Sequence, residues 1–231
     1  MREIVFDTET TGLDNKADRI IEIGCIELEN QFPTGRSLHL FINPDGRKVH
    51  PDALAVHGIT DAFLADKPVF ADVAEEIIEF FDGAHYVAHN ANFDMGFLNN
   101  EFARTGREAV APDLVVDTLA LARRRHPMGP NSLDALCRRY GIDNSHRTRH
   151  GALLDAELLT DVYIEMLGGR QAALGLSASD TAQMDRDVNE VVVEIGERLR
   201  PLPERLSAAE IQAHAVLVER IGAGAIWRKR G

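Results

Sequence analysis

The fold of this 231-residue chain is decided by residues 2–12, which read Arg-Glu-Ile-Val-Phe-Asp-Thr-Glu-Thr-Thr-Gly. The apolar run within residues 2–7 is typical of a buried strand. Because side chains two positions apart in a strand point to the same side, Asp7 and Glu9 project from one face, about 6–7 Å apart. Two carboxylates this close repel each other unless a cation lies between them, and hard oxygen ligands favour magnesium or manganese over zinc. The stretch therefore predicts a strand that ends in a metal site.

The pattern beyond this strand indicates the fold class. Two further strands are predicted over residues 19–28 and 38–42, and tight connections between the three predict an antiparallel meander. Later segments alternate between helices, predicted over 70–81, 92–105, 117–124, 132–140 and 151–167, and short strands, predicted over 85–88 and 114–116. A meander followed by this alternation predicts an α/β fold with a mixed sheet flanked by helices.

Composition narrows the class of protein. No stretch has the features of a signal peptide or a membrane span. Cys25 and Cys137 lie far apart in apolar segments, so two buried thiols in a reduced, cytoplasmic setting are expected. The net charge of -12 argues against a protein that binds nucleic acid by charge alone, but it is compatible with an enzyme that binds only a strand end.

Basic residues form two clusters. The arginines at 123–125 are best explained as part of a solvated face. Arg147 and Arg149, just before His150, are equally compatible with a solvated face and with a functional role.

A second acidic segment, His-Asn-Ala-Asn-Phe-Asp at residues 89–94, directly follows the strand predicted at 85–88. Asn90 or Asn92 can cap the next helix and place Asp94 in its first turn. Taken alone, Asp94 is explained better by the helix dipole than by catalysis.

The third segment reads His-Gly-Ala-Leu-Leu-Asp at residues 150–155. Side chains five residues apart do not share a face of one helix, so we expect His150 on the loop before the helix and Asp155 one turn inside it. An aspartate among leucines is costly to bury unless it is paired with a charge or a metal. Histidine is suited to accepting a proton near neutral pH. Four carboxylates and one histidine are what two-metal phosphodiester cleavage requires.

These segments resemble the three motifs of the DEDDh family of 3′→5′ exonucleases; they are Phe6–Gly12, His89–Asp94 and His150–Asp155. Within that family, Val56–Ile59 and Asn131–Cys137 are similar to the proofreading subunits of the bacterial replicative polymerase, DNA polymerase III. The resemblance spans about residues 2–176. It implies a ribonuclease H-like fold and the removal of nucleoside 5′-monophosphates from a DNA 3′ end.

The resemblance also implies roles for the motif residues. Two divalent ions, Mg²⁺ or Mn²⁺, are implied as cofactors. Asp7, Glu9 and Asp155 would hold one ion, and Asp7 and Asp94 the other. His150 is the implied general base.

The implied substrate is a single-stranded DNA 3′ end. Asp52 and His57 match positions that contact the terminal nucleotide, although the family commonly has glutamate at the first of these. The implied substrate-binding set is Asp7, Glu9, Asp52, His57 and Asp155.

Residues after the exonuclease motifs have a different composition. Residues 175–205 are polar, acidic and interrupted by prolines, which predicts a linker. Ser207 and Glu210 fit a capping box before an apolar helix, and Trp227 lies near the end of the chain. Because this helix has no core of its own to join, we expect it to bind a partner, which by resemblance is the polymerase (alpha) subunit.

The segment Gln171–Leu176 is similar to a peptide that binds the sliding clamp, with Gln171, Leu174 and Leu176 as the contact residues. The expected organisation is therefore a catalytic domain at 1–170, a clamp-binding peptide and linker at 171–206, and a polymerase-binding tail helix at 207–231.

Three other readings compete with this one. An RNA-trimming DEDDh enzyme would share the site, but such enzymes typically lack the tail. A phosphatase of the haloacid dehalogenase type needs Asp-x-Asp, which Glu9 does not supply. A non-catalytic scaffold has no need for four clustered carboxylates. The sequence therefore favours a proofreading 3′→5′ exonuclease.

Overall fold

The computed structural model describes residues 1–169 and 207–222, which belong to two separate units of the chain. The predictions for Gln171, Leu174 and Leu176, for the linker and for Trp227 lie outside the described residues.

A five-stranded mixed sheet organises the first unit. Its strands are β1 (Arg2–Thr10), β2 (Ile20–Glu29), β3 (Phe32–Phe41), β4 (His85–Ala88) and β5 (Val115–Asp117). The strand order is β3-β2-β1-β4-β5, with β1 antiparallel to β2 and parallel to β4. The β1–β2–β3 meander and the mixed sheet are thereby confirmed.

The helices of this unit are α1 (Pro51–His57), α2 (Asp61–Leu64), α3 (Phe70–Phe81), α4 (Asn92–Arg104), α5 (Thr118–Arg125), α6 (Leu133–Tyr140) and α7 (Ala152–Leu167), with a short 3₁₀ turn at Pro112–Leu114. They cover both faces of the sheet. Ile4 and Phe6 belong to a core shared with α3 and α4, whereas Val5 belongs to a core shared with α5, α6 and α7. This division follows from the alternation of side chains along β1.

The odd-numbered residues of β1 face α7, which runs antiparallel to the strand. Near the end of α7, the Tyr163 hydroxyl donates a hydrogen bond of 2.6 Å to Oε1 of Glu3, and both side chains are buried. Eight residues of helix rise about 12 Å and four residues of strand about 13 Å. Asp155 therefore lies beside the other end of β1, where Asp7 and Glu9 project.

The beginning of α7 packs directly on the backbone of β2. Gly24, the strand partner of Asp7, makes this possible. A Cβ atom at Gly24 would lie 2.2 Å from the backbone nitrogen of Leu153 and 2.4 Å from the carbonyl carbon of Ala152. The missing side chain thus lets the helix carrying Asp155 approach the strand.

Among the described residues of the second unit, α8 (Ala208–Ile221) is the regular element. Its predicted capping box is confirmed, because Ser207 accepts from the backbone of Glu210 and the Glu210 side chain accepts from the backbone of Ser207. Its apolar side chains are largely exposed within this unit, including Ile211, Leu217 and Ile221.

In the part of the chain that the structure describes, no helix combines the length and the apolarity needed to cross a membrane. Cys25 and Cys137 are buried free thiols, as predicted.

Candidate active site

A cavity of about 710 Å³ opens at the end of β1, and every predicted catalytic, metal-binding and substrate-binding residue of the first unit lines it. These residues are Asp7, Glu9, Asp52, His57, Asp94, His150 and Asp155. Three distant segments of sequence meet there because β1 is the central strand, β4 lies beside it, and α7 packs along it.

Asp7 and Glu9 lie at the carboxyl end of β1 and face the cavity together. Burial raises the pKa of Asp7 well above its ordinary value, and three neighbouring carboxylates raise it further. Burial also raises the pKa of Glu9, to about 8, and the next cause is the carboxylate of Glu22 opposite it on β2. The repulsion predicted from the sequence is therefore present.

Asp94 lies in the first turn of α4 and is buried. Both the backbone nitrogen and the hydroxyl of Thr8 donate to its Oδ1, at 3.1 and 2.7 Å. Burial raises the pKa of Asp94 to about 7, although these hydrogen bonds act in the opposite direction. The predicted asparagine cap is absent: Ala91 is the cap residue, and Asn90 adopts a positive φ of 63° in the turn before it.

Asp155 lies in the first turn of α7, and His150 precedes the helix, as the spacing predicted. The two groups meet, since Nδ1 of His150 lies 3.3 Å from Oδ2 of Asp155. Burial acts to raise the pKa of Asp155, but the Arg147 guanidinium and the neighbouring His150 outweigh it and hold the pKa below its ordinary value.

His57 lies at the end of α1 and is buried against the cavity. The backbone nitrogen of Ile59 donates to its Nδ1 at 3.0 Å, so the neutral ring carries its proton on Nε2. Burial lowers the pKa of His57, and this Nε2 is buried with no hydrogen-bond partner among the described residues. Asp52, at the start of α1, has a side chain that is 96% exposed.

The sequence did not resolve the role of Arg147. Its side chain is 8% exposed and forms ion pairs with Asp155 and with Asp134. The basic cluster at Arg147 and Arg149 gave no local signal of contacts with residues on two different helices. Thr8, which positions Asp94, was also missed, although its place between Asp7 and Glu9 could have drawn attention to it. The arginines at 123–125 are exposed, as the solvated-face reading predicted.

The arrangement fits a divalent metal site. Ligand atoms of Glu9, His150 and Asp155 all lie within 4.8 Å of one another. Carboxylates whose pKa values are raised by burial and by mutual repulsion gain most from a cation among them. The donors are mainly carboxylate oxygens, which suit a hard divalent ion.

Comparisons with known proteins identify the family of this chain. The family profile described as Exonuclease (RNase_T) matches residues 4–163. The proteins named DNA polymerase III subunit epsilon from Salmonella typhimurium and Escherichia coli are 44% and 43% identical to this chain. Each match covers 98% of this chain and 97% of the relative. The subunit of the same name from Rickettsia conorii is 41% identical, with 96% of each chain covered.

Solved structures share the fold. Exonuclease X in complex with 5′-overhanging duplex DNA is 30% identical, with a TM-score of 0.55 over 72% of this chain and 90% of that one. Escherichia coli exonuclease I in complex with a dT13 oligonucleotide is 20% identical, with a TM-score of 0.62 over 75% of this chain and 42% of that one, and this supports the fold alone. The chain therefore belongs to the RNase_T exonuclease family and, within it, to the epsilon subunits of DNA polymerase III.

Proposed function

We propose that this chain is the proofreading subunit of a bacterial replicative DNA polymerase and acts in the cytoplasm. It removes nucleotides one at a time from a DNA 3′ end and releases nucleoside 5′-monophosphates. The observation that carries this proposal is the convergence of four carboxylates and His150 on one cavity. A histidine at 150, five positions before Asp155, supports the DEDDh subclass for this enzyme.

The proposed cofactors are two divalent ions, Mg²⁺ or Mn²⁺. Asp7, Glu9 and Asp155 hold one of them, and Asp7 and Asp94 hold the other. When bound, such ions stabilise the attacking and leaving oxygens of a phosphodiester. Thr8 serves this site by fixing the orientation of Asp94 through two hydrogen bonds.

His150 is the proposed general base. When Asp155 accepts a hydrogen bond from Nδ1, the proton stays on that atom and Nε2 is free to accept a proton from water. Nδ1 of His150 lies 3.3 Å from Oδ2 of Asp155, so the ring is close enough to make this bond once Nδ1 carries the proton. The His150 side chain is 49% exposed, which gives Nε2 access to the cavity.

His57 and Asp52 are proposed to bind the terminal nucleotide. Among the described residues the buried Nε2–H group of His57 makes no hydrogen bond of good geometry, although the Thr10 backbone lies near the ring, and a nucleotide oxygen would supply an acceptor. Asp52 offers an exposed carboxylate to the 3′-hydroxyl of a DNA end. This pair would favour a strand end over an internal phosphodiester.

The proposed domain organisation is that expected from the sequence: a catalytic domain at 1–170, a clamp-binding peptide and linker at 171–206, and a polymerase-binding tail at 207–231. The proposed partners are the polymerase (alpha) subunit, through α8 and Trp227, and the sliding clamp, through Gln171, Leu174 and Leu176. The exposed apolar residues of α8 support the first contact.

The direct test is hydrolysis of a 5′-labelled DNA oligomer, which should shorten from its 3′ end in steps of one nucleotide only when Mg²⁺ or Mn²⁺ is present. An RNA oligomer of the same sequence distinguishes a proofreading enzyme from an RNA trimmer.

Asp7→Ala should abolish hydrolysis without unfolding the protein. Because it removes one of several repelling acids, it should also raise the melting temperature of the metal-free protein. Near-normal activity of Asp7→Ala in Mg²⁺ would rule out the two-metal assignment.

A further inference from the structure

Arg147 lies in the loop between α6 and α7, and its guanidinium is buried inside the carboxylate cluster. Nε donates to Oδ1 of Asp155 at 2.5 Å and Nη2 donates to Oδ2 at 2.6 Å. Two parallel bonds of this kind form a bidentate pair, the strongest arrangement available to arginine and a carboxylate. Both oxygens that Asp155 could offer to a metal ion are therefore engaged by Arg147.

The same guanidinium also engages the proposed base. Nη2 lies 2.8 Å from Nδ1 of His150. Arginine has only donors, so Nδ1 must be the acceptor, and the neutral ring then carries its proton on Nε2. A ring nitrogen that already carries a proton has no free lone pair, so Nε2 in this tautomer cannot accept a proton from water. Arg147 thus holds His150 in the tautomer opposite to the one that catalysis requires.

A third contact gives Arg147 an anchor outside the cluster. Nη1 donates to Oδ1 of Asp134 at 3.0 Å, and Asp134 is 44% exposed at the start of α6. Asn144 donates to the same oxygen at 2.9 Å and steadies it. Arg147 can therefore leave Asp155 and still keep a charged partner.

We propose that Arg147 is an internal counter-ion that neutralises Asp155 when no divalent ion is bound and must move off Asp155 and His150 before the site binds metal and works. This inference rests on the metal assignment of the proposed function. A buried carboxylate is costly without a compensating charge, which is why the metal-free site needs such a residue. A guanidinium and a metal ion repel each other and cannot both occupy the same oxygens. Arg147 is thus a positioning residue that sets the metal affinity and the histidine tautomer.

Calorimetric titration of the full-length protein with Mn²⁺, without nucleic acid, tests the competition. Arg147→Gln should bind Mn²⁺ about tenfold more tightly than the wild type, because no internal charge has to be displaced. The matched control is Arg149→Gln, which removes the same charge from an exposed position two residues away. It should leave the affinity near that of the wild type. Arg147→Gln should also lower the melting temperature of the metal-free protein more than Arg149→Gln does.

Unchanged or weaker Mn²⁺ affinity in Arg147→Gln would overturn the proposal, since the arginine would then not compete with the ion. If the wild type and both variants fail to bind Mn²⁺ at all, the metal assignment itself fails and this inference fails with it. Should Arg147→Gln not fold, Arg147→Lys keeps the charge but loses the bidentate geometry, and it should bind Mn²⁺ more tightly than the wild type.

Nuclear magnetic resonance of the arginine Nε–H groups follows the displacement directly in the wild-type protein. The Arg147 resonance is assigned by its absence from the spectrum of Arg147→Lys. It should shift as Mg²⁺ is added, and the midpoint of this shift should match the midpoint of Mg²⁺ binding. A resonance that stays unchanged while Mg²⁺ saturates the site would show that Arg147 remains on Asp155, and would overturn the proposal.

Discussion

At the scale of single residues, Glu9 and Asp94 have pKa values raised to about 8 and about 7. Because a carboxyl group must lose its proton to bind a metal, we expect the proposed metal site to release protons near neutral pH when ions bind. Metal affinity should therefore rise with pH over this range.

The raised pKa of Glu9 predicts how the stability of the metal-free protein depends on pH. The folded chain binds this proton more tightly than the unfolded chain, whose glutamate has its ordinary value of 4.5. Stability contributed by the protonated group is therefore lost as pH rises from about 4.5 to about 8. Glu9→Gln removes this loss, so its advantage in melting temperature over the wild type should grow between pH 5 and pH 8. Thermal melts in the presence of a chelator measure it, and a constant difference across that range would contradict the prediction.

His150→Ala should slow hydrolysis by roughly 10²–10⁴-fold, the usual contribution of a general base. Single-turnover rates at saturating Mg²⁺ measure this loss, and His146→Ala, on the same loop, is the matched control. Calorimetric titration of His150→Ala with Mn²⁺ separates two roles of His150. If the residue acts only as a base, the variant should bind the ion as the wild type does, whereas loss of a metal ligand should weaken binding. Equal rates in the two variants would show that another group accepts the proton.

At this scale, the sequence predicted those features of the site that depend on the spacing of residues along one strand or one helix. The period of a strand predicted that Asp7 and Glu9 share a face, and the spacing of His150 and Asp155 predicted a loop residue above a helix residue. Arg147 could not be predicted in this way. Its partners Asp134 and Asp155 lie on two different helices, and only packing brings them to the same guanidinium.

At the scale of elements, the position of α7 against β1 and β2 determines where Asp155 lies. One end of the helix is held by the Tyr163–Glu3 hydrogen bond and the other by backbone contact at Gly24. Gly24→Ala should push the beginning of α7 off the sheet, with a cost of about 3 kcal/mol or more. Displacement of Asp155 should also weaken Mn²⁺ binding in whatever fraction remains folded.

Chemical denaturation and calorimetry measure the two effects of Gly24→Ala. The control is Gly129→Ala, whose added methyl group meets only the flexible end of Arg139. If Gly24→Ala were as stable as this control and bound Mn²⁺ normally, the contact would not position the helix.

The elements themselves show where the sequence pattern was insufficient. β3 begins at Phe32, six residues before the predicted start, and residues 32–37 are exposed. An edge strand with no buried face in this part has no alternation to detect. The contact between Gly24 and the start of α7 could not be predicted either, because a glycine within an isoleucine-rich strand does not indicate that a helix packs on it.

At the scale of the whole molecule, a chain with net charge -12 has to bring an acidic site to an acidic substrate. Linking it to partners that already hold the DNA raises its local concentration without relying on charge. The α8 side chains Ile211, Leu217 and Ile221 fall on one side of the helix and are exposed within their unit.

Truncation after Leu176 should therefore leave hydrolysis of free oligomers unchanged but abolish binding to the polymerase subunit. In the full chain, Leu217→Asp should weaken that binding, whereas Gln212→Asp on the opposite side of α8 should not. Replacing Gln171 and Leu174 by Ala should weaken only the clamp contact. Surface plasmon resonance against each partner measures these affinities. A truncated protein that still binds the polymerase would place the anchor on the catalytic domain.

The placement of the site at the meeting of β1, α4 and α7 also has a consequence during biosynthesis. Asp7 leaves the ribosome early, whereas Asp155 belongs to the last helix of the first unit. A nascent chain therefore carries Asp7 and Glu9 without Asp155 through most of its translation, and we expect it to gain exonuclease activity only when α7 has emerged and docked on the strand made first.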